Sequence, residues 1–216
     1  VDFSQCSIST WASYGKTYTM RISDSNNIGL AENAFYDDAA TNNGYGGVRY
    51  MLELNSVDSI TIQGNSFHYG NTPPITSRLL EFSAVSNALV HDNEFINPNE
   101  LGLNLSMTNS DFVGNTISQS NGTALRLQGD QNTISGLVIP SCQGTGVELM
   151  ASNSVVSRSR ILAAANGVAL VVDGDNNLVH TNFIQSEGDI EMSVFQNNGV
   201  GNEVYFNTFR MDGVHP

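Results

Sequence analysis

The sequence predicts an all-β fold, a single-domain right-handed parallel β-helix (solenoid) of about eight coils of roughly 22 residues. Three observations predict it. One short motif returns at a fixed interval, its apolar positions form uniform columns, and nothing between the motifs has the spacing or length of a helix. Because the motif runs through residues 1–216, we expect one domain with no globular domain beside it.

The repeated motif is clearest in the middle of the chain. Leu89–Phe95 aligns with Asp111–Ile117 and then with Thr133–Ile139, and each copy starts 22 residues after the one before. The second and seventh positions are apolar in every copy, so both columns must face the interior. A second strand follows in each coil with the pattern inward, outward, inward, which makes two short strands per coil. Its copies are Met20–Ile22, Leu52–Leu54, Leu80–Phe82, Leu103–Leu105, Leu125–Leu127, Val147–Leu149, Val168–Leu170 and Ile190–Met192.

An asparagine column lies between the two apolar columns of the motif. Stacked amides at a turn can hydrogen-bond from coil to coil and satisfy buried polar groups along the axis. Cys6, Leu137 and Ser159 occupy the same position in three of the coils. The asparagines of the column are Asn33, Asn65, Asn93, Asn115, Asn182 and Asn207.

Composition and charge limit the partners of the chain. Lys and Arg number 8 against 21 Asp and Glu, and the net charge of -13 would repel the phosphate backbone of a nucleic acid. No apolar run approaches the roughly 18 residues of a membrane span. A low content of charged residues, with many Asn, Ser and Gly, is typical of extracellular or virion-surface repeats, and we expect that location.

The two cysteines, Cys6 and Cys142, fall in the first and sixth coils. At about 4.8 Å per coil they are too far apart to form a disulfide. We therefore expect two unpaired thiols, with Cys6 as a small buried residue and Cys142 at a turn.

The repeat and its columns resemble the pectate-lyase-like superfamily of right-handed β-helices, which includes polysaccharide lyases, polygalacturonases, uronan epimerases and phage tailspikes. The resemblance covers nearly the whole chain but lies in the fold repeat. Of the polygalacturonase signatures, an aspartate pair occurs once, at Asp37 and Asp38, whereas the Asn-Thr-Asp, Gly-His-Gly and Arg-Ile-Lys elements do not occur. The resemblance implies contact with carbohydrate and fixes no reaction. The likeness to tailspikes further implies a homotrimer.

The repeat is interrupted at one corner of the first three coils. From the asparagine column to the second strand these coils use 14, 19 and 15 residues, whereas the later coils use 10 or fewer. Aromatic rings stack on the flat faces of sugars, and carboxylate and guanidinium groups bind sugar hydroxyls, so these insertions favour a glycan groove. The alternative is that bulky aromatic residues merely close long loops. The expected substrate-binding residues are Trp11, Tyr14, Tyr36, Tyr45, Arg49, His68, Tyr69 and Arg78.

The outward position of the second strand forms a polar column beside that corner. Oppositely charged neighbours in it, Arg21 with Glu53 and Arg126 with Glu148, are expected to pair across coils. The column reads Arg21, Glu53, Glu81, Asn104, Arg126, Glu148, Ala169 and Glu191.

Glu53 and Glu81 are like charges in successive coils of that column. Their predicted separation of about 5 Å matches the carboxyl spacing of retaining glycosidases. If the loops cover them, one carboxyl has a raised pKa or a Ca²⁺ ion bridges the pair; otherwise they form a solvated ladder. No other metal or cofactor is expected. The candidate catalytic residues are Asp37, Asp38, Glu53 and Glu81.

Three functions fit these features. The favoured hypothesis is an extracellular carbohydrate depolymerase, either a glycoside hydrolase or a lyase, with its groove at the loops of the first three coils. A lyase would need a base such as His68 or Tyr69, and an arginine or Ca²⁺ to neutralise a uronate. The alternatives are a non-catalytic glycan-binding module of a tailspike or adhesin shaft, and a structural rod of a surface assembly. The insertions favour the first two, because a spacer would not need them.

The ends of the predicted solenoid are open. Phe3–Ile8 already matches the first strand with no capping element before it, so apolar core and unpaired strand would be exposed. We therefore expect residues 1–216 to be a segment of a longer chain, or their ends to be covered by another subunit.

Overall fold

The computed structural model describes residues 1–4, 7–10, 18–37, 50–70, 78–99, 101–164, 167–187 and 194–212, with the backbone alone at 4, 7–10, 18 and 37. Regular structure in these ranges is entirely β. Within the same ranges, no helix has the length and hydropathy needed to cross a membrane. The strands are β1 (Asp2–Ser4), β2 (Ser7–Thr10), β3 (Tyr18–Ala31), β4 (Ala34–Asp37), β5 (Tyr50–Gln63), β6 (Ser66–Tyr69), β7 (Arg78–Ser86), β8 (Leu89–His91), β9 (Glu94–Ile96), β10 (Leu101–Thr108), β11 (Asp111–Val113), β12 (Thr116–Ser118), β13 (Thr123–Asp130), β14 (Thr133–Ser135), β15 (Val138–Ile139), β16 (Val147–Leu149), β17 (Val155–Ser157), β18 (Arg160–Ala163), β19 (Leu170–Val172), β20 (Leu178–His180), β21 (Phe183–Ser186), β22 (Phe195–Asn197), β23 (Glu203–Tyr205) and β24 (Thr208–Met211).

The strands form the predicted right-handed parallel β-helix, in which each strand pairs with those one coil before and after it. A fifteen-stranded sheet and a nine-stranded sheet result. The middle coils have three strands rather than the predicted two, because the motif of Leu89–Phe95 divides into β8 and β9. Asp92, which lies between them, has a left-handed backbone conformation with a φ of 56°, and β8 therefore ends before it.

The apolar columns of the motif are confirmed as the core. Ile139 pairs in register with Ile161, and both are fully buried. Within the same column the ring of Phe35 stacks on that of Phe67 with centroids 4.5 Å apart, and the ring of Phe67 stacks on that of Phe95 at 5.1 Å. Full burial of such a side chain contributes about 1.5–3 kcal/mol, so these columns supply the main stabilising free energy of the fold.

The asparagine ladder is also confirmed. The Oδ1 atom of Asn93 accepts the backbone N–H of Asn65 at 2.9 Å, and the Oδ1 atom of Asn115 accepts that of Asn93 at 2.9 Å. All three side chains are buried. After Leu137, which has no side-chain acceptor, the Oγ atom of Ser159 takes over by accepting the Leu137 N–H at 3.2 Å. The ladder fixes each turn to the next, since buried polar groups need partners.

A second ladder lies at the turn that precedes β8, β11, β14 and β17. The Oγ atom of Ser110 accepts the N–H of Ala88 at 2.9 Å, and the Ser110 N–H is bonded to Oδ1 of Asn132 at 3.2 Å. The Oγ atom of Ser154 accepts from the N–H of Asn132 at 3.0 Å. Serine and asparagine alternate in this ladder and leave no uniform column, so the sequence pattern does not predict it.

The predicted second strand of the seventh coil is out of register. The partner of Val147–Leu149 is Leu170–Val172 rather than Val168–Leu170. The next partner is Phe195–Asn197. The predicted strand Ile190–Met192 lies outside the described residues. The outward column of the second strand therefore continues through Val171 and Gln196, in place of Ala169 and Glu191.

Cys142 is unpaired, as predicted. It is also fully buried, and its thiol donates to the carbonyl oxygen of Gly144 at 3.2 Å. Burial raises the pKa of this thiol to about 12. Cys6 lies outside the described residues.

In the last coil, apolar side chains of core columns are exposed, with Val204 at 37% and Phe209 at 44% of their full surface.

Candidate functional site

In the first four coils, the outward residues of the second strand form a ladder beside the interrupted corner. Register places Arg21 opposite Glu53, Glu53 opposite Glu81, and Glu81 opposite Asn104. We call these four residues the carboxylate ladder. The in-strand neighbours of Glu53, Glu81 and Asn104, such as Leu80, are buried, so the alternation of the strand aims the polar side chains outward.

The two glutamates are each bound by an arginine. The Nε atom of Arg21 lies 3.4 Å from Oε2 of Glu53, as predicted. Arg78, three residues before Glu81 on β7, donates to Oε2 of Glu81. The side-chain amide of Asn104 donates to the other oxygen of Glu81 at 2.9 Å. The carboxylates are partly covered, with 21% and 18% of their side-chain surface exposed.

The same column continues on the middle coils without insertions beside it. There the Nε atom of Arg126 lies 2.8 Å from Oε2 of Glu148, which confirms the second predicted ion pair. Glu148 has 22% of its side-chain surface exposed, close to the value for Glu53. It is therefore a matched reference residue for the glutamates of the carboxylate ladder.

Arg78 joins three parts of the corner. Its guanidinium binds Glu81 and lies over the ring of Tyr50, with its central carbon 6.0 Å from the ring centroid. Its backbone carbonyl accepts the hydroxyl of Tyr69 at 2.8 Å. Residues 71–77, between these two positions, lie outside the described residues. Arg78 is a predicted substrate-binding residue, but in this structure its charge is directed to Glu81.

Tyr69 does not occupy the predicted position. It is fully buried and among the largest buried side chains of the molecule, so its ring face is not available to stack on a sugar in this structure. The reason is strand parity: Phe67 and Tyr69 are two residues apart on β6 and therefore point to the same, inward side.

Tyr36 and His68 lie on a different sheet from the carboxylate ladder. They are paired in register on β4 and β6 of the nine-stranded sheet, and their rings meet edge to face with centroids 5.9 Å apart. Tyr36 is 37% exposed. Both strands run into the interrupted corner, so this aromatic pair borders the corner on one side and the carboxylate ladder borders it on the other.

The structure does not describe the side chains of several predicted site residues. Asp37 is described by its backbone alone, at the end of β4 opposite Tyr69. The others lie outside the described residues, so their assignments stay predictions. They are Trp11, Tyr14, Asp38, Tyr45 and Arg49.

Asn104 and Tyr50 lie at the site but are not among the site residues predicted from the sequence. Asn104 holds Glu81 and has a buried Oδ1 atom that accepts no hydrogen bond from the described residues. Its only signal in the sequence was its place in the outward column. Among the described residues, no group of three or more His, Cys, Asp or Glu side chains is arranged to hold a metal ion.

A comparison with known protein families identifies the fold. The model of the family described as "Right handed beta helix region" matches residues 101–214, which is more than half of the chain. The comparison with curated protein sequences found no match.

The fold is also similar to that of solved structures of another protein. A mutant of DFA-IIIase from Arthrobacter chlorophenolicus A6 in complex with DFA-III has a TM-score of 0.58 and 12% identity, over 88% of this chain and 56% of that one. DFA-IIIase from the same organism without its lid has a TM-score of 0.52 and 13% identity, over 87% and 59%. The chain thus spans little more than half the length of these proteins, and the likeness shows the fold alone.

Proposed function

We propose that this chain, which belongs to the family of right-handed β-helix regions, is an extracellular carbohydrate depolymerase acting at the carboxylate ladder. In such a solenoid the inward side chains hold the coils together, so a functional site is built from outward side chains. The observation that carries the proposal is the pair Glu53 and Glu81. Two carboxylates stand side by side in register, at the corner where the first three coils carry their insertions. DFA-IIIase, which shares the fold, is a carbohydrate-active enzyme, and this supports the substrate class.

The spacing of the pair suits hydrolysis with retention of configuration. Neighbouring parallel strands lie about 4.8 Å apart, and the two carboxyl groups of retaining glycosidases are about 5–5.5 Å apart. One carboxylate oxygen bonds to the anomeric carbon as the glycosidic C–O bond breaks, and the leaving oxygen takes a proton from the second carboxyl group. Water then releases the sugar from the first carboxylate and returns a proton to the second.

The surroundings of the pair suit a bound glycan. The aromatic pair Tyr36 and His68 borders the same corner, and aromatic rings stack on sugar faces. We place Trp11, Tyr14 and Tyr45 of the insertions in the same groove as stacking residues, together with the guanidinium of Arg49.

The proposal is tested with the chain and a panel of polysaccharides. Release of new reducing ends reports hydrolysis, and ultraviolet absorbance of an unsaturated uronide reports elimination. Glu81→Gln and Glu53→Gln are expected to abolish reducing-end release while largely keeping glycan affinity, because an amide keeps the shape but cannot act as nucleophile or acid. Glu148→Gln is the matched control, since it removes an equivalent ion pair away from the insertions. Equal loss in all three variants would contradict a catalytic ladder.

A glycan-binding module without turnover is the second candidate. The observation that favours it is that the described carboxylates of the ladder are already bound by arginine side chains, as in a static surface ladder. In that case the wild-type chain binds glycan with no release of reducing ends, and Trp11→Ala or Tyr45→Ala weakens binding. A structural rod would bind no glycan at all.

A further inference from the structure

We infer that the groove selects a neutral polysaccharide rather than a polymer of uronic acids, an inference that rests on the proposed function and names its substrate class. It follows from the charges of the carboxylate ladder and from the donors and acceptors that the ladder presents.

The described cations of this face are already neutralised. Arg21 binds Glu53, and Arg78 binds Glu81. Further along the same column, Arg126 binds Glu148. A uronate would have to compete with these glutamates for a guanidinium. Removing Arg78 from Glu81 would leave a partly buried carboxylate without its partner, and an uncompensated charge of that kind is costly.

The field of the molecule acts in the same direction. The chain carries a net charge of -13, whereas the ion-paired ladder has no net charge of its own, so an anionic polymer approaches a molecule whose mean field is negative. Like charges across an interface slow association and disfavour the complex, and the effect weakens as salt screens them.

Neutral sugars suit the hydrogen-bonding groups of the ladder. A carboxylate oxygen can only accept, and a sugar hydroxyl can donate. The ladder therefore offers Glu53 and Glu81 as acceptors for hydroxyl groups, in charge-assisted hydrogen bonds stronger than neutral ones. A uronate replaces one donating hydroxymethyl group by a group that only accepts. Lyase-type cleavage by elimination requires a cation that neutralises the carboxylate of the substrate. On the described face the guanidinium groups of Arg21 and Arg78 are already paired with glutamates, which disfavours that reaction.

The inference is tested with pairs of polymers that differ in charge alone. Each neutral hexose polymer of the panel is compared with the same polymer after oxidation of its C6 hydroxymethyl groups to carboxylates. The oxidised form is expected to bind at least about tenfold more weakly at low salt, and the difference should shrink at high salt. Glu81→Gln, which frees Arg78, is expected to narrow the difference, whereas Glu148→Gln should leave it unchanged.

The outcomes separate the two proposals. Equal or tighter binding of the oxidised polymers overturns the inference and leaves the proposed function standing. If Lys16→Ala or Arg49→Ala then abolished the binding of the oxidised polymers, the cation that binds their carboxylates would lie in the insertions. Absence of binding to any polymer, neutral or oxidised, overturns the proposed function and this inference with it.

Discussion

The hydroxyl of Tyr69 donates to the backbone carbonyl oxygen of Arg78 across the base of the third insertion. The ring of Tyr69 belongs to the core, whereas the side chain of Arg78 belongs to the carboxylate ladder. One hydrogen bond therefore links the packing of the nine-stranded sheet to the position of β7, on which Glu81 stands.

This link predicts different effects for two substitutions of Tyr69. Tyr69→Phe keeps the ring and loses one hydrogen bond, so it is expected to lower the free energy of unfolding by about 1 kcal/mol. Tyr69→Ala empties a large buried site and should cost about 3–5 kcal/mol. Chemical denaturation measures both. Near-identical stability of Tyr69→Ala and the wild-type chain would contradict the buried position.

Neighbouring residues of β15 test the register of the core. Ile139 is fully buried, whereas Val138, next to it, is 36% exposed. Ile139→Asp should unfold the chain or make it insoluble, because it buries a charge without a partner. Val138→Asp should fold and melt close to the wild-type temperature. Thermal unfolding followed by circular dichroism compares them, and the reverse order of stability would refute the inward column.

The asparagine ladder predicts a graded effect at Asn93. Its Oδ1 atom accepts from the N–H and the side chain of Asn65, and its amide donates to the carbonyl oxygen of Ile62. Asn93→Ala leaves buried groups unpaired and should cost about 2–4 kcal/mol. Asn93→Ser should cost less, since Ser159 acts as an acceptor at the same place in its own coil. Denaturant titrations that show no difference between the variants would contradict the ladder.

Burial of Cys142 predicts an unreactive thiol and a pH effect of definite sign. The pKa of this thiol is raised from 9.0 to about 12, so in a Cys6→Ser background a thiol reagent should label the folded chain far more slowly than the unfolded one. Between these pH values the unfolded state binds fewer protons than the folded state, so the contribution to the free energy of unfolding falls as pH rises. Cys142→Ala should remove this slope. Fast labelling of the folded chain would overturn the assignment.

The columns of the fold were predictable because the same residue type recurs at the same place in every coil. Register in the seventh coil was not predictable from alternation. A shift of two residues, from Val168–Leu170 to Leu170–Val172, keeps the same sides inward and outward, so the apolar pattern cannot tell the two apart. The constant distance from the second strand to the asparagine column would have decided it: 12 residues separate Val147 from Ser159, and 12 separate Leu170 from Asn182.

The candidate site was only partly predictable. Register alone placed Glu53 beside Glu81, whereas the partner of Glu81 depends on Arg78, which stands at the start of β7 after an insertion of irregular length. Tyr69 was assigned to the groove from its residue type, although its distance of two residues from Phe67 already indicated the core. Aromatic residues in a long insertion indicate a site only where strand parity has been checked.

The uniform length of the middle coils makes the molecule modular at the level of its gene. Each coil pairs only with its immediate neighbours, so a whole coil can be lost without new packing. Excision of residues 137–158 removes 22 residues and joins Gly136 to Ser159. Gly136 has the same left-handed backbone as Arg158, which precedes Ser159 in the intact chain, and Ser159 would then stand next to Asn115 in its column. In-frame duplication or loss of one coil can thus lengthen or shorten the solenoid while the four coils that carry the carboxylate ladder are inherited unchanged.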